Sequence, residues 1–209
     1  MMRDSQGRFI RKIKIHNYQT DLVTRLNILF GGCFAESEWS SMNDERGLSI
    51  YSPRIDVAVG PFATQEQYGY QYDRMLNRSD IGVFIRSLYD YNRRNIRLIN
   101  DDFVYLPEYE DIIHMNHNAR CFMAIEIENN VSRKHLMGGA INASALGRFG
   151  VVIPWSEEKL MAFVRLIRYL HYLRNANKNS YDTSNLLIVT REQIDRAIRD
   201  SLDSNNRLL

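Results

Sequence analysis

Three acidic residues stand where the sequence otherwise asks for apolar side chains. In RIDVAV, Asp56 interrupts a run whose Ile55, Val57 and Val59 suit a buried strand face, and in CFMAIEIE, Glu126 and Glu128 alternate with Met123, Ile125 and Ile127. Strand side chains point to opposite faces in turn, so Glu126 and Glu128 project together while their apolar neighbours line the other side. Like charges at that spacing repel, and away from water each takes up a proton unless a cation or several donors offset the charge. If the strands at 54–59 and 122–128 are neighbours, three carboxylates converge. Hard oxygen ligands grouped this way suit Mg2+ or Mn2+, which take a few carboxylates and complete their shell with water and substrate phosphate. Any one of these acids taken singly is better explained as an ion pair with Arg54, Arg133 or Lys134. Three of them, each on the polar side of an apolar strand, favour the metal. Glu36 and Glu38, in CFAESEWSS, are the nearest further acids, and Glu38 is a candidate fourth ligand.

The elements that must carry these residues follow from periodicity. Leu22, Val23, Leu26, Leu29 and Phe30 share one face of a helix expected over 20–31, with Thr20 as its N-cap. CFAESEWSS predicts a lead-in strand and SPRIDVAVGPF a firm one, ended by Gly60 and Pro61. Residues 64–96 are polar and aromatic, with helical spacing through Ile81, Phe84, Ile85 and Leu88, and predict a helical insertion. From 97 to 119 the pattern is weak beyond a short strand at FVYLP. CFMAIEIE is a strand, Ser132 caps a helix running to Leu146 that Gly147 ends, and RFGVVIPW is another strand. A long amphipathic helix over 157–174, a loop at NSYDTSN, a buried strand at LLIVT and a closing helix at REQIDRAIRDSL complete the chain. Strands alternating with helices predict an α/β layer arrangement with a mixed sheet. Neither VGPFA nor MGGA has the glycine spacing of a P-loop or a dinucleotide fold.

SPRIDVAVGPF followed by FMAIEIENNVSRKHLMGGAINASALGRFGVVI resembles the core of the PD-(D/E)xK nuclease superfamily, over roughly residues 20–60 and 120–155. The resemblance implies a restriction-endonuclease-like fold, a mixed sheet flanked by helices, spanning 1–209 as one domain with 64–119 as an insertion. It also implies a metal-dependent nuclease in which Asp56 and Glu126 bind Mg2+ for phosphodiester cleavage. Pro53 and Asp56 match the first half of the motif; Glu126, Ile127 and Glu128 match the second, with Glu128 in the place of the usual lysine. The family often adds a glutamate from the first helix, and TDLVTRLNILFG carries none. The implied substrate is double-stranded DNA, with a homodimer as a candidate assembly. The alternatives are a catalytically silent member of the fold that binds DNA or a protein, and a metal-dependent phosphohydrolase acting on nucleotides.

Phosphodiester hydrolysis needs a polarised phosphoryl oxygen, an activated water in line with the leaving oxygen, and charge relief for that oxygen. In this scheme Asp56 and Glu126 hold the ion, and Glu128 takes a proton from the water or helps to hold a second ion. Arg133 and Lys134, in the first turn of the helix after the motif, are the expected phosphate contacts, and Lys134 is a stand-in for the absent lysine. The insertion adds arginines and tyrosines, Arg93 and Arg94 among them, of the kind that touch phosphates and stack on bases. The same residues equally suit packing on the core or on a second subunit. Overall charge is only +2, from 27 basic and 25 acidic side chains, although the first 18 residues set Arg3, Arg8, Arg11, Lys12 and Lys14 against Asp4 alone. Cys33 and Cys121 form no metal or disulfide pattern. The absence of an apolar leader and of any run of about 18 apolar residues predicts a cytoplasmic protein with no membrane partner.

Overall fold

The computed structural model describes residues 10–32, 34–42, 52–63, 66–98, 106–129, 132–178 and 181–206. In chain order the elements are α1 (Ile10–Phe30), β1 (Ala35–Ser40), β2 (Arg54–Val59), α2 (Gly69–Leu76), α3 (Ser79–Ile96), α4 (Tyr109–Ile112), β3 (Cys121–Glu128), α5 (Arg133–Leu146), β4 (Gly147–Pro154), α6 (Glu157–Asn175), β5 (Leu186–Ile188) and α7 (Arg191–Asn206). The strands form one mixed sheet in the order β1-β2-β3-β4-β5. β1, β2 and β3 run antiparallel in turn, and β4 and β5 are parallel to β3. Each parallel step needs a crossover, which α5 and α6 supply. This is the α/β arrangement of a mixed sheet between helices that the alternating pattern predicts.

Both sheet faces are covered, which is why β4 is buried at every position and apolar from Phe149 onward rather than alternating. On one face Val57, Val59, Met123, Ile125, Phe149 and Val151 pack with Leu22 and Leu26 of α1, Phe84 and Leu88 of α3, and Ile194 and Ile198 of α7. On the other face Ala58, Ala124 and Val152 meet Leu136, Ala140 and Ala143 of α5 and Phe163 and Val164 of α6. The alternation expected of β2 holds at Val57 and Val59, but Ile55 is grouped with Trp39 in the second cluster.

Three features depart from the sequence reading. α1 starts ten residues before the helix expected at 20–31, so Arg11, Lys12 and Lys14 belong to a helix rather than to an extended basic arm. α3, from the segment read as an insertion, buries Ile81, Phe84, Ile85 and Leu88 in the main core. Its Asn92 and Asn95 also close the edge of the sheet: Ile188 N–H donates to Asn92 Oδ1 at 2.8 Å, and Asn95 Nδ2 donates to the Ile188 carbonyl at 2.9 Å. Side-chain amides thus replace the missing sixth strand. The third is Arg148, at the head of β4 and fully buried. Its guanidinium donates to Asp73 of α2 and bonds His117, each at 2.8 Å, and donates to the Ile113 carbonyl. Residues 103–105 of the strand expected at FVYLP lie outside the described residues, and α4 forms just beyond them. Among the described residues no helix is long and apolar enough to cross a membrane.

Candidate metal centre

The sheet register decides which acids meet. Val57 pairs with Ile125 and Ala58 with Ala124, so the next position sets Asp56 beside Glu126. On the other side Ser37 pairs with Val57 and Trp39 with Ile55, which sets Glu38 opposite Asp56. One row across β1, β2 and β3 therefore reads Glu38, Asp56, Glu126. Glu128 follows two residues along β3, half-buried, and its carbonyl accepts from the Trp155 N–H at 2.9 Å.

The Asp56 and Glu126 carboxyls are near enough to act on one another, an interaction that lowers Asp56 and raises Glu126. Asp56 Oδ2 also accepts the Ile127 N–H at 2.7 Å. Burial pushes the Asp56 carboxyl up to about 6; Glu38 and Glu128 add to the rise, while the Ile127 N–H and the Glu126 carboxyl oppose it. Glu126 is pushed well above the usual carboxylate range, first by burial and then by Asp56, Glu128 and Glu38. α5 contributes to that burial. A Cβ placed on Gly139 would stand 3.8 Å from Cβ and Cγ of Glu126, in ordinary van der Waals contact, so this helix lies close against the side chain.

Glu38 is held differently. Its φ of 53° lies in the left-handed region, which costs a residue with a Cβ roughly 1–2 kcal/mol. Its Oε1 accepts from Gln19 Nε2 at 3.2 Å, and its Oε2 is 3.8 Å from Arg54 Nη1. Both members of that ion pair are more than half exposed, so the pair contributes little. Gln19 is buried, and its Nε2 also donates to the Asp56 carbonyl. Sequence reasoning missed Gln19: an amide on a helix carries no signal, and the expected helix began one residue after it.

Among the described residues no three His, Cys, Asp or Glu side chains are drawn together into a metal cage. The donor set that exists is a pair of hard carboxylate oxygens in a row, short of positive charge. Mg2+ needs no more than this from a protein, because it is commonly held by one or two carboxylates with water and phosphate completing an octahedron. The pair therefore fits such an ion.

The predicted phosphate contacts divide. Lys134 is exposed in the first turn of α5, the helix that follows the acid-bearing strand; the Arg133 side chain lies outside the described set. Arg93 and Arg94 are not brought to the carboxylates. They sit on α3, which lies along β5 at the far edge of the sheet from β1. Arg93 contacts Tyr89 Oη at 3.3 Å and Glu108 at 3.4 Å, while Arg94 bonds the Asp90 carbonyl and lies over the Tyr91 ring. Cys121 is buried, which raises its thiol and keeps it protonated; Cys33 lies outside the described residues. Compared with models of known protein families, with curated proteins and with solved structures, the chain matches none.

Proposed function

We propose that this chain is a metal-dependent nuclease that hydrolyses phosphodiester bonds of DNA, of the restriction-endonuclease-like kind. The observation that carries the reading is the strand register that sets Asp56 beside Glu126, two acids both raised by burial and by neighbouring acids, where a cation would relieve both. Asp56 and Glu126 would hold Mg2+ or Mn2+, which would supply polarisation of the phosphoryl oxygen and a lowered pKa for the attacking water. Asp56 is oriented by the Ile127 N–H on its Oδ2, which would leave Oδ1 to serve as a ligand. To hold such an ion Glu126 would have to be deprotonated, because ligands bind metal in that form. Glu128 takes the proton of the attacking water, the role its place in the motif offers to a carboxylate. Lys134, at the start of α5, meets the phosphate backbone.

A second reading is a catalytically silent protein of the same architecture that binds DNA or a protein partner. It draws support from Glu128 standing where a lysine is usual and from Glu38 being engaged by Gln19 and Arg54. Supercoiled plasmid incubated with Mg2+, with and without chelator, separates the two. The nuclease reading expects nicking or linearisation that chelator stops and that Glu126→Ala reduces by at least a hundredfold. DNA retention by the folded wild-type protein with no cleavage in Mg2+ or Mn2+ gives the case to the silent binder. Nucleotide turnover without DNA cleavage points to a phosphohydrolase.

A further inference from the structure

Gln19 is a buried polar side chain that reaches both β1 and β2, the strands carrying Glu38 and Asp56. It projects from the middle of α1, is 4% exposed, and spends a single nitrogen on two acceptors. Those acceptors are Oε1 of Glu38 on β1 and the main-chain oxygen of Asp56 on β2. A carboxamide nitrogen has two hydrogens, so both bonds are made without sharing one. Both partners are acceptors, which fixes the orientation of the amide: turned over, its oxygen would face two oxygens. A glutamate here would set a further carboxylate against Glu38 and the Asp56 carbonyl, with no hydrogen to donate to either when ionised, and a shorter or apolar side chain would make neither bond.

We propose that Gln19 is a positioning residue of the carboxylate site: it fixes Glu38 alongside the Asp56–Glu126 pair and anchors the Asp56 backbone, so that the row is already aligned when a divalent cation arrives. The proposal rests on the cation-site reading above and deepens it. Without the amide, Glu38 is left to Arg54 and solvent on an exposed surface, and the strand bearing Asp56 loses its tie to α1. The site then has to be ordered at the moment of binding. Partners that orient metal ligands in this way typically alter affinity by about 10–100-fold when removed.

The test uses the full chain and Mn2+ alone as the probe, with free ion read by electron paramagnetic resonance and no turnover required. Gln19→Met keeps the length and bulk of the side chain and removes the donor. The expected result is Mn2+ affinity weakened by about tenfold or more. Glu38→Met, which has no oxygen to accept from Gln19, is expected to weaken it similarly, and the double variant to be no worse than the weaker single, because both changes break the Gln19–Glu38 bond. A merely structural glutamine would lower the metal-free Tm and leave Mn2+ affinity at the wild-type value, and that outcome overturns the proposal. Should Gln19→Met fail to fold, Glu38→Met reads the same link from its half-exposed end, and wild-type affinity there overturns it equally. Wild-type protein that binds no Mn2+ removes the cation site itself and this role with it; wild-type protein that binds, beside a Gln19→Met that binds as well, removes only the role of Gln19.

Discussion

Glu126 keeps its proton because the ionised form has no good neighbour. Deprotonated, it would face the Asp56 carboxyl, with Glu128 and Glu38 adding to the field. An amide in its place keeps the size and cannot ionise. We therefore expect Glu126→Gln to raise the metal-free Tm at pH 8 by roughly 2–4 °C, the shift that about 1 kcal/mol produces in a chain of this length. The same variant should lose any stabilisation by Mg2+. Scanning calorimetry with and without the ion checks both; a lower metal-free Tm would mean that ionised Glu126 is paired and that the cation argument has the sign wrong. Asp56, Glu126 and Glu128 were legible in the sequence because a charge that breaks an apolar alternation is conspicuous. Gln19 and Arg148 were not: one is an ordinary helical amide, the other stands at the head of RFGVVIPW like a solvent-facing flank. What makes them matter is a set of partners 19 to 75 residues away in the chain, from Glu38 to Asp73, and no local pattern records those.

The carboxylates are half-buried because α5 lies close to the sheet, and small residues allow that approach. A Cβ on Gly150 of β4 would stand 2.8 Å from the Ala143 carbonyl carbon and the Ser144 nitrogen, both backbone atoms that cannot swing aside. Gly138, on α5 itself, has nothing within 4 Å of the same added atom. The two glycines should then respond in opposite directions to alanine. Gly150→Ala forces helix and strand apart and is expected to cost about 1–3 kcal/mol. Gly138→Ala removes a flexible helical residue without a clash and is expected to add about 0.5–1 kcal/mol. Urea unfolding of the two variants measures both; equal effects would show that α5 does not depend on its close seat against β4. The sequence made α5 readable through Ser132, Gly147 and the small residues between, and made β2, β3 and β4 readable through their apolar runs. α3 was legible as a helix through its apolar positions 81, 84, 85 and 88, but its seat in the main core was not, because in the chain it lies between two strands that pair in space. The early start of α1 was hidden by the basic composition of its first turns.

The pair also leaves a mark on the stability of the whole molecule, because β2 and β3 lie inside the sheet and bear on both helical layers. A carboxyl whose pKa rises on folding binds more protons folded than unfolded, so stability falls as pH rises between the two values. For Asp56 that interval runs from 3.8 to about 6, and the loss amounts to roughly 3 kcal/mol once the group is fully ionised. Glu126 extends the same trend to higher pH. Glu192 works in the opposite sense, held low by its own N–H, as does Asp182, where hydrogen bonds from Ser184 outweigh burial; their contributions are lost as pH falls. A raw stability curve mixes these effects, but a divalent cation acts only where the acids converge. Since the ion competes with protons for these acids, its effect on Tm should grow with pH. For a dissociation constant of about 1 mM, 10 mM Mg2+ adds about 1.4 kcal/mol at pH 8, or a few degrees, and close to nothing at pH 4.5, where both acids are neutral. Melting curves between pH 4.5 and 8 with and without Mg2+ measure the difference directly. An increment independent of pH would place the ion elsewhere on the protein, and none at pH 8 would leave the carboxyl pair as a buried acid dimer with no cation to serve.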